Sequence, residues 1–138
     1  NNPRVTIPVF GNGDIDSPEK ALEYKNRYGV DGIMIGRGAI GAPWFFRQVK
    51  NYFATGDAGS PPDMAERIKA VRTHLRHSIE WKGERLGIVE MRRHYANYFR
   101  GLPHFKEHRL ALVTLDNPEA LEAKLSEIAE RFGEHVFA

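Results

Sequence analysis

The stretch Gly32–Gly41, GIMIGRGAIG, decides how this chain is read. It is a short apolar run that ends in G-x-G-x-x-G, the spacing of a dinucleotide-binding loop. Such a loop makes further demands. Its helix must lead to a second parallel strand, and an acidic residue about 20 positions on must reach the ribose. Here the next helical pattern, APWFFRQVKNYFATG at 42–56, runs into DAGSPPD at 57–63. Asp57 and Asp63 fall in that linker and follow no strand. Pro43, Trp44, Phe45 and Phe46 also stand where small residues belong. The dinucleotide reading fails on context.

Upstream, VTIPVF at 5–10 is β-prone and stops at GNGDI, with Pro8 pointing to an edge, a bulge or a strand end. DSPEKALEYKNRYG at 16–29 follows as a helix. Ser17 is its cap, Pro18 its first residue and Gly29 its stop. So short a crossover predicts that runs 5–10 and 32–35 are adjacent parallel strands. Each is followed by G-x-G, at Gly11–Gly13 and Gly36–Gly38. Glycine lets backbone N–H groups approach an anion, and in (β/α)8 barrels the loops after strands seven and eight commonly hold phosphate. Arg37 offers a charged fork to a phosphate dianion. Asp14 is expected to act through its backbone N–H or through a side-chain bond that holds the turn. The plain alternative is that these glycines only make tight turns. Two parallel strands cannot close a sheet, so residues 1–58 are expected to be the tail of a larger α/β domain, cut short.

Beyond the linker everything reads helical. Met64, Ile68, Val71, Leu75 and Ile79 form an apolar stripe at helical period, as do Phe45, Val49 and Phe53 before it. A helix from about 84 to 100 buries Ile88, Met91, Tyr95 and Tyr98, and Gly101-Leu102-Pro103 breaks it. A short helix around 105–113 follows. The last helix starts at Asn117 or Asp116 with Pro118, buries Leu121, Leu125, Ile128 and Phe132, and stops at Gly133.

The net charge of +2 is unevenly spread: residues 61–110 carry 11 basic against 6 acidic side chains, and residues 111–138 carry 2 against 6. A basic middle suits a polyanion, or is simply a solvated helical face. With 41% hydrophobic and 28% charged residues, the composition is that of a globular chain that can bury a core. No apolar run approaches the ~20 residues that cross a bilayer, and the first residues lack the pattern of a signal peptide. The absence of cysteine removes disulfides, thiolate metal sites and a cysteine nucleophile from this chain.

IPVFGNGDI at 7–15 and GVDGIMIGRGAIGAPWFFRQV at 29–49 strongly resemble the tRNA-dihydrouridine synthase family, in its bacterial B-type branch. MRRHYANYFRGLP at 91–103 resembles that family's R-x-H-x-x-x-Y stretch more loosely, and residues 104–138 match only in being helical. The resemblance implies a cytoplasmic FMN-dependent enzyme that reduces uridine in tRNA to dihydrouridine with NADPH. Its fold would be α/β plus all-α: the last βαβα of a TIM barrel over 1–58, then a helical tRNA-binding bundle over 59–138. By motif, Asn12, Gly13, Asp14, Gly36 and Arg37 would hold the FMN phosphate, with Gly11 and Gly38 shaping the turns. Arg92, His94 and Tyr98 would face tRNA, joined by the neighbouring cations Lys82, Arg85, Arg93 and Arg100. The family's general acid is a cysteine on an earlier barrel loop, so no catalytic residue is expected here. The chain alone is expected neither to retain FMN nor to reduce uridine, and to self-associate through the cut face of the barrel.

Two other readings stay open: a stand-alone RNA-binding or regulatory module, and another phosphate-binding TIM-barrel enzyme with a helical appendage. His74 and His77, three apart on a helix, read as surface histidines because no third metal ligand accompanies them. Glu80, Glu84 and Glu90 read as helix-surface charges, and Ser17, Ser60 and Ser78 as cap, linker and helix residues.

Overall fold

The computed structural model describes residues 4–137 and divides into two units between Ser60 and Pro61. In the first unit a short strand β1 (Phe10–Gly11) leads through helix α1 (Pro18–Tyr28) to strand β2 (Gly32–Ile33). A single 3-10 turn (Arg37–Ala39) then precedes helix α2 (Phe45–Thr55). The two strands are parallel, with Phe10 opposite Gly32 and Gly11 opposite Ile33. The Asp31 N–H donates to the Val9 carbonyl and the Met34 N–H to the Gly11 carbonyl, both at 2.8 Å.

Both strands are shorter than the runs that predicted them. The sheet has two strands, so each finds a backbone partner on one side only. Pro8 has no N–H to give, and the apolar side chains that would anchor a longer strand stand in the open. Ile7 is 73% exposed and Phe10 66%. The core forms beneath the pair instead, from Ile15, Ala21, Phe45 and Val49 with Tyr24, Ile33, Ile35 and Ala42 packed on it. Phe53, expected on the same stripe as Phe45 and Val49, is exposed.

The second unit is four helices: α3 (Met64–Lys82), α4 (Glu84–Tyr98), α5 (Lys106–Thr114) and α6 (Pro118–Phe132). Asp63 and Glu66 form a reciprocal cap at the start of α3, each carboxylate accepting from the other's backbone N–H. Such a box is worth about 1 kcal/mol. Asn117 caps α6 through the Ala120 N–H, with Pro118 next to it. Gly83 alone ends α3 and begins α4, which fold back on each other. Helix α6 packs on α3 and α5, and α5 on α4. Their apolar stripes meet: Met64, Ile68, Val71 and Leu75 of α3, Ile88, Met91, Tyr95 and Tyr98 of α4, Leu112 of α5, and Leu121, Leu125, Ile128 and Phe132 of α6 are all buried.

Candidate functional site

In the first unit the parallel pairing brings the two glycine turns to the same end of the strands. The link between them is polar: Arg37 donates through Nη2 to the Asp14 carboxylate, 23 residues away. Both side chains are largely exposed, so the pair contributes at most about 1 kcal/mol. The closer constraint is steric. A Cβ on Gly38 would lie 2.4 Å from the Ile15 carbonyl oxygen and 3.2 Å from the Phe45 ring. The 3-10 turn therefore rests directly on the backbone that follows GNGD, and Ile15 is buried under it at 3% exposure. Asp14 itself has φ +44, a left-handed conformation uncommon outside glycine. A second cation, one the sequence reading passed over, braces that residue. Lys20 on α1 donates through Nζ to the Asp14 carbonyl at 2.5 Å and to the Asp16 carboxylate at 3.3 Å.

The chemistry on offer is that of an anion cradle. A guanidinium has five N–H donors, of which one goes to Asp14. Asn12 is exposed in the first turn, and Gly11, Gly13 and Gly36 keep the neighbouring backbone free of side chains. A phosphate fits this donor set, provided it shares Arg37 with Asp14. The lone charged fork expected from the sequence arrives already in partnership.

In the second unit the expected RNA-facing residues part company. Arg85, Arg93, Lys82 and Arg100 are exposed. Lys82 is paired with Glu90, Arg100 donates to the Asn97 side chain at 2.7 Å, and Arg93 Nε donates to His94 Nε2 at 3.2 Å. Arg92 is half-buried, with Nε enclosed and unpaired among the described residues. Tyr98 does not fit the tRNA-facing role. Its ring is 1% exposed, its hydroxyl sits 3.1 Å from His74 Nδ1, and burial pushes its pKa up to about 12. The period 91, 95, 98 places it on the core face of α4, as the packing alternative had it.

His74 is likewise no surface histidine. Its ring meets that of His94 edge-on, with centroids 4.6 Å apart, and lies close to Tyr98. No group of three or more metal-ligating side chains occurs among the described residues. Burial, then the neighbouring His74 and the Arg93 charge, hold the His94 pKa down at about 4, and His74 is lowered mainly by burial too. An unfolded histidine takes its proton near pH 6.5. Between pH 6.5 and 4 the unfolded chain therefore binds more protons than the folded one, and stability falls as pH falls through that window. Urea midpoints measured from pH 7 to 4 should decline, and His94→Gln should flatten the decline. An unchanged profile in the variant would remove His94 from this account.

The comparisons with known proteins agree with one another. Residues 2–133 match the family model described as Dihydrouridine synthase (Dus). A probable tRNA-dihydrouridine synthase of Rickettsia conorii is 40% identical over 123 residues, which is 89% of this chain and 37% of that protein. A tRNA-dihydrouridine synthase B of Pseudomonas aeruginosa is 38% identical over 128 residues, 92% of this chain and 39% of the relative. One of Shewanella oneidensis reaches 46% over 94 residues, 68% and 29% of the two chains. This chain thus spans little more than a third of the length of the curated relatives it matches. No helix of the described residues is long and apolar enough to cross a membrane.

Proposed function

Because the chain belongs to the dihydrouridine synthase family, we propose that it is the C-terminal portion of a tRNA-dihydrouridine synthase that forms 5,6-dihydrouridine in tRNA with FMN and NADPH. The observation that carries this reading is the pair of glycine turns, side by side on parallel strands and joined by Arg37 and Asp14. In it, β1 and β2 are the last two strands of a TIM barrel. Asn12, Gly13, Asp14, Gly36 and Arg37 hold the FMN phosphate, with Gly11 and Gly38 allowing the turns to close. When bound, the flavin supplies the hydride for reduction of the uracil ring. Residues 61–137 hold the tRNA through cations on the outside of the helices. The exposed apolar residues around β1 are the surface that the rest of the barrel, or a second copy of the isolated chain, covers. The enzyme would work in the cytoplasm, where its tRNA is.

The proton donor of the reaction is a cysteine elsewhere in such enzymes, and this chain has none. On this reading the 138 residues hold only part of the flavin site and lack the proton donor, so alone they are expected to purify without flavin absorbance and to leave uridine unreduced. In the full-length enzyme, Arg37→Ala should weaken FMN binding at least tenfold, the scale of a lost charge-assisted hydrogen bond of roughly 1.5–3 kcal/mol. Fluorescence titration of the flavin-stripped protein reads it directly. Unchanged FMN affinity would overturn the assignment of the two turns.

A further inference from the structure

The expected RNA-facing cations lie on and beside α4, and three of them, Lys82, Arg93 and Arg100, are engaged by their own neighbours. Helix α3 carries a cleaner row. Lys69, Arg72 and Arg76 occupy positions i, i+3 and i+7, and all three line a groove of about 610 Å³ between α3 and α6. A helix rises about 1.5 Å per residue, so the row extends over about 10 Å along the groove wall. The floor is small and apolar, with Ala65, Ile68 and Ala129, and Thr73 adds a hydroxyl.

The one carboxylate in the lining, Glu122, has a defined task. It pairs with Arg72 Nη2 at 2.5 Å, while the same nitrogen donates to Ser126 Oγ at 2.8 Å. Arg72 is thereby fixed across the groove, and its Nε is buried without a hydrogen-bond partner among the described residues. The other two cations keep their charge for something outside. Among the described residues Arg76 has a long contact to Glu80, at 3.9 Å, and a weak hydrogen bond from Nη2 to His77 Nε2, at 3.4 Å. Lys69 is exposed and has no ion-pair partner among the described residues. Three cations against one committed carboxylate, set along a trough with an apolar floor, complement a sugar–phosphate strand. On such a track successive phosphates would meet the cations and fix the strand's register.

We propose that the α3–α6 groove, through Lys69 and Arg76, is the track that grips one RNA strand of the tRNA. The proposal rests on the reading that this part of the chain holds tRNA, and it moves the principal contacts from α4 to α3. Arg72 is a positioning residue that ties the two walls together.

The test uses the full-length enzyme and an unmodified tRNA transcript, with dissociation constants measured at several KCl concentrations. For Lys69→Ala/Arg76→Ala, Kd should rise at least tenfold, and the slope of log affinity against log salt should shrink by about 1 to 2. Bound FMN and the thermal midpoint should stay as in the parent. Lys69→Arg/Arg76→Lys, which keeps both charges, should restore affinity and slope. Arg85→Ala/Arg93→Ala on α4 serves as the comparison and should cost less. If the α3 pair leaves Kd and slope unchanged while the parent binds tRNA with a steep salt dependence, the groove is not the track, although the broader reading stands. A parent enzyme with no salt-dependent affinity for tRNA would sink both.

Discussion

Replacing Gly87 by valine is expected to cost the helical unit about 3 kcal/mol or more, measured as the shift in urea unfolding. Gly87 lies buried in the first turn of α4, where the chain has just turned back from α3. A Cβ there would sit 2.7 Å from the Ile79 amide nitrogen and 2.8 Å from Ile79 Cα and the Ser78 carbonyl carbon. All three are backbone atoms of α3, so no side-chain rotation relieves the contact and the helices must separate. Separation also breaks the bond from Ser78 Oγ to the Gly87 carbonyl, 3.1 Å long. Overpacking typically costs 1–3 kcal/mol, and a collision with main chain belongs at or above the upper end. Against total stabilities of about 5–15 kcal/mol, that is a large share. Gly87→Ala makes the argument sharper. On an open helix the change would stabilise by up to about 1 kcal/mol; here it should destabilise. A stabilised alanine variant would show that α3 and α4 do not meet as closely as this.

Arg67→Ala is expected to destabilise the same unit by about 3 kcal/mol, the scale of losing two charge-assisted hydrogen bonds from a buried side chain. Arg67 is 7% exposed on the inner face of α3. Its Nε donates to the Pro62 carbonyl at 3.1 Å and its Nη1 to the Tyr98 carbonyl at 2.9 Å. The Phe137 ring lies 3.5 Å from the guanidinium carbon. Burial lowers its pKa to about 10, which still leaves it charged at neutral pH. The side chain thus ties the linker before α3, the end of α4 and Phe137 to one point. Truncation would leave two carbonyls without their donor and the aromatic face without its cation. Arg67→Met, which keeps the stem but no donors, should recover only the packing part. Thermal melts of the two variants separate these contributions, and a loss below about 1 kcal/mol in the alanine variant would mean that the three ties carry little.

Much of the helical architecture was legible because its signals are local. Ser17 with Pro18, Asn117 with Pro118 and the spacing of Leu121, Leu125, Ile128 and Phe132 need no knowledge of partners. Strand length was not legible, since a β-prone run such as 5–10 extends only as far as neighbours accept its hydrogen bonds. The candidate site divides the same way. The glycine turns stood out as strings, but the Arg37–Asp14 bond spans 23 residues and the support from Lys20 depends on how α1 lies. Tyr98 was ambiguous because one helical position can serve the core or the surface, and only the packing of α3 decides. The α3 cations were hidden for the opposite reason. Polar residues spaced along a helix look like ordinary solvated surface until a second helix makes the face into a trough.

The bond between Arg37 and Asp14 has a last consequence. The guanidinium carries its own resident counter-ion, so on the proposed assignment an incoming phosphate would enter by exchange. Any affinity measured at this site is net of the carboxylate it displaces or crowds. For an exposed pair worth at most about 1 kcal/mol, the handicap is no more than about fivefold. In return the turns would meet such a ligand with their charges already balanced, Arg37 against Asp14 and Lys20 against Asp16.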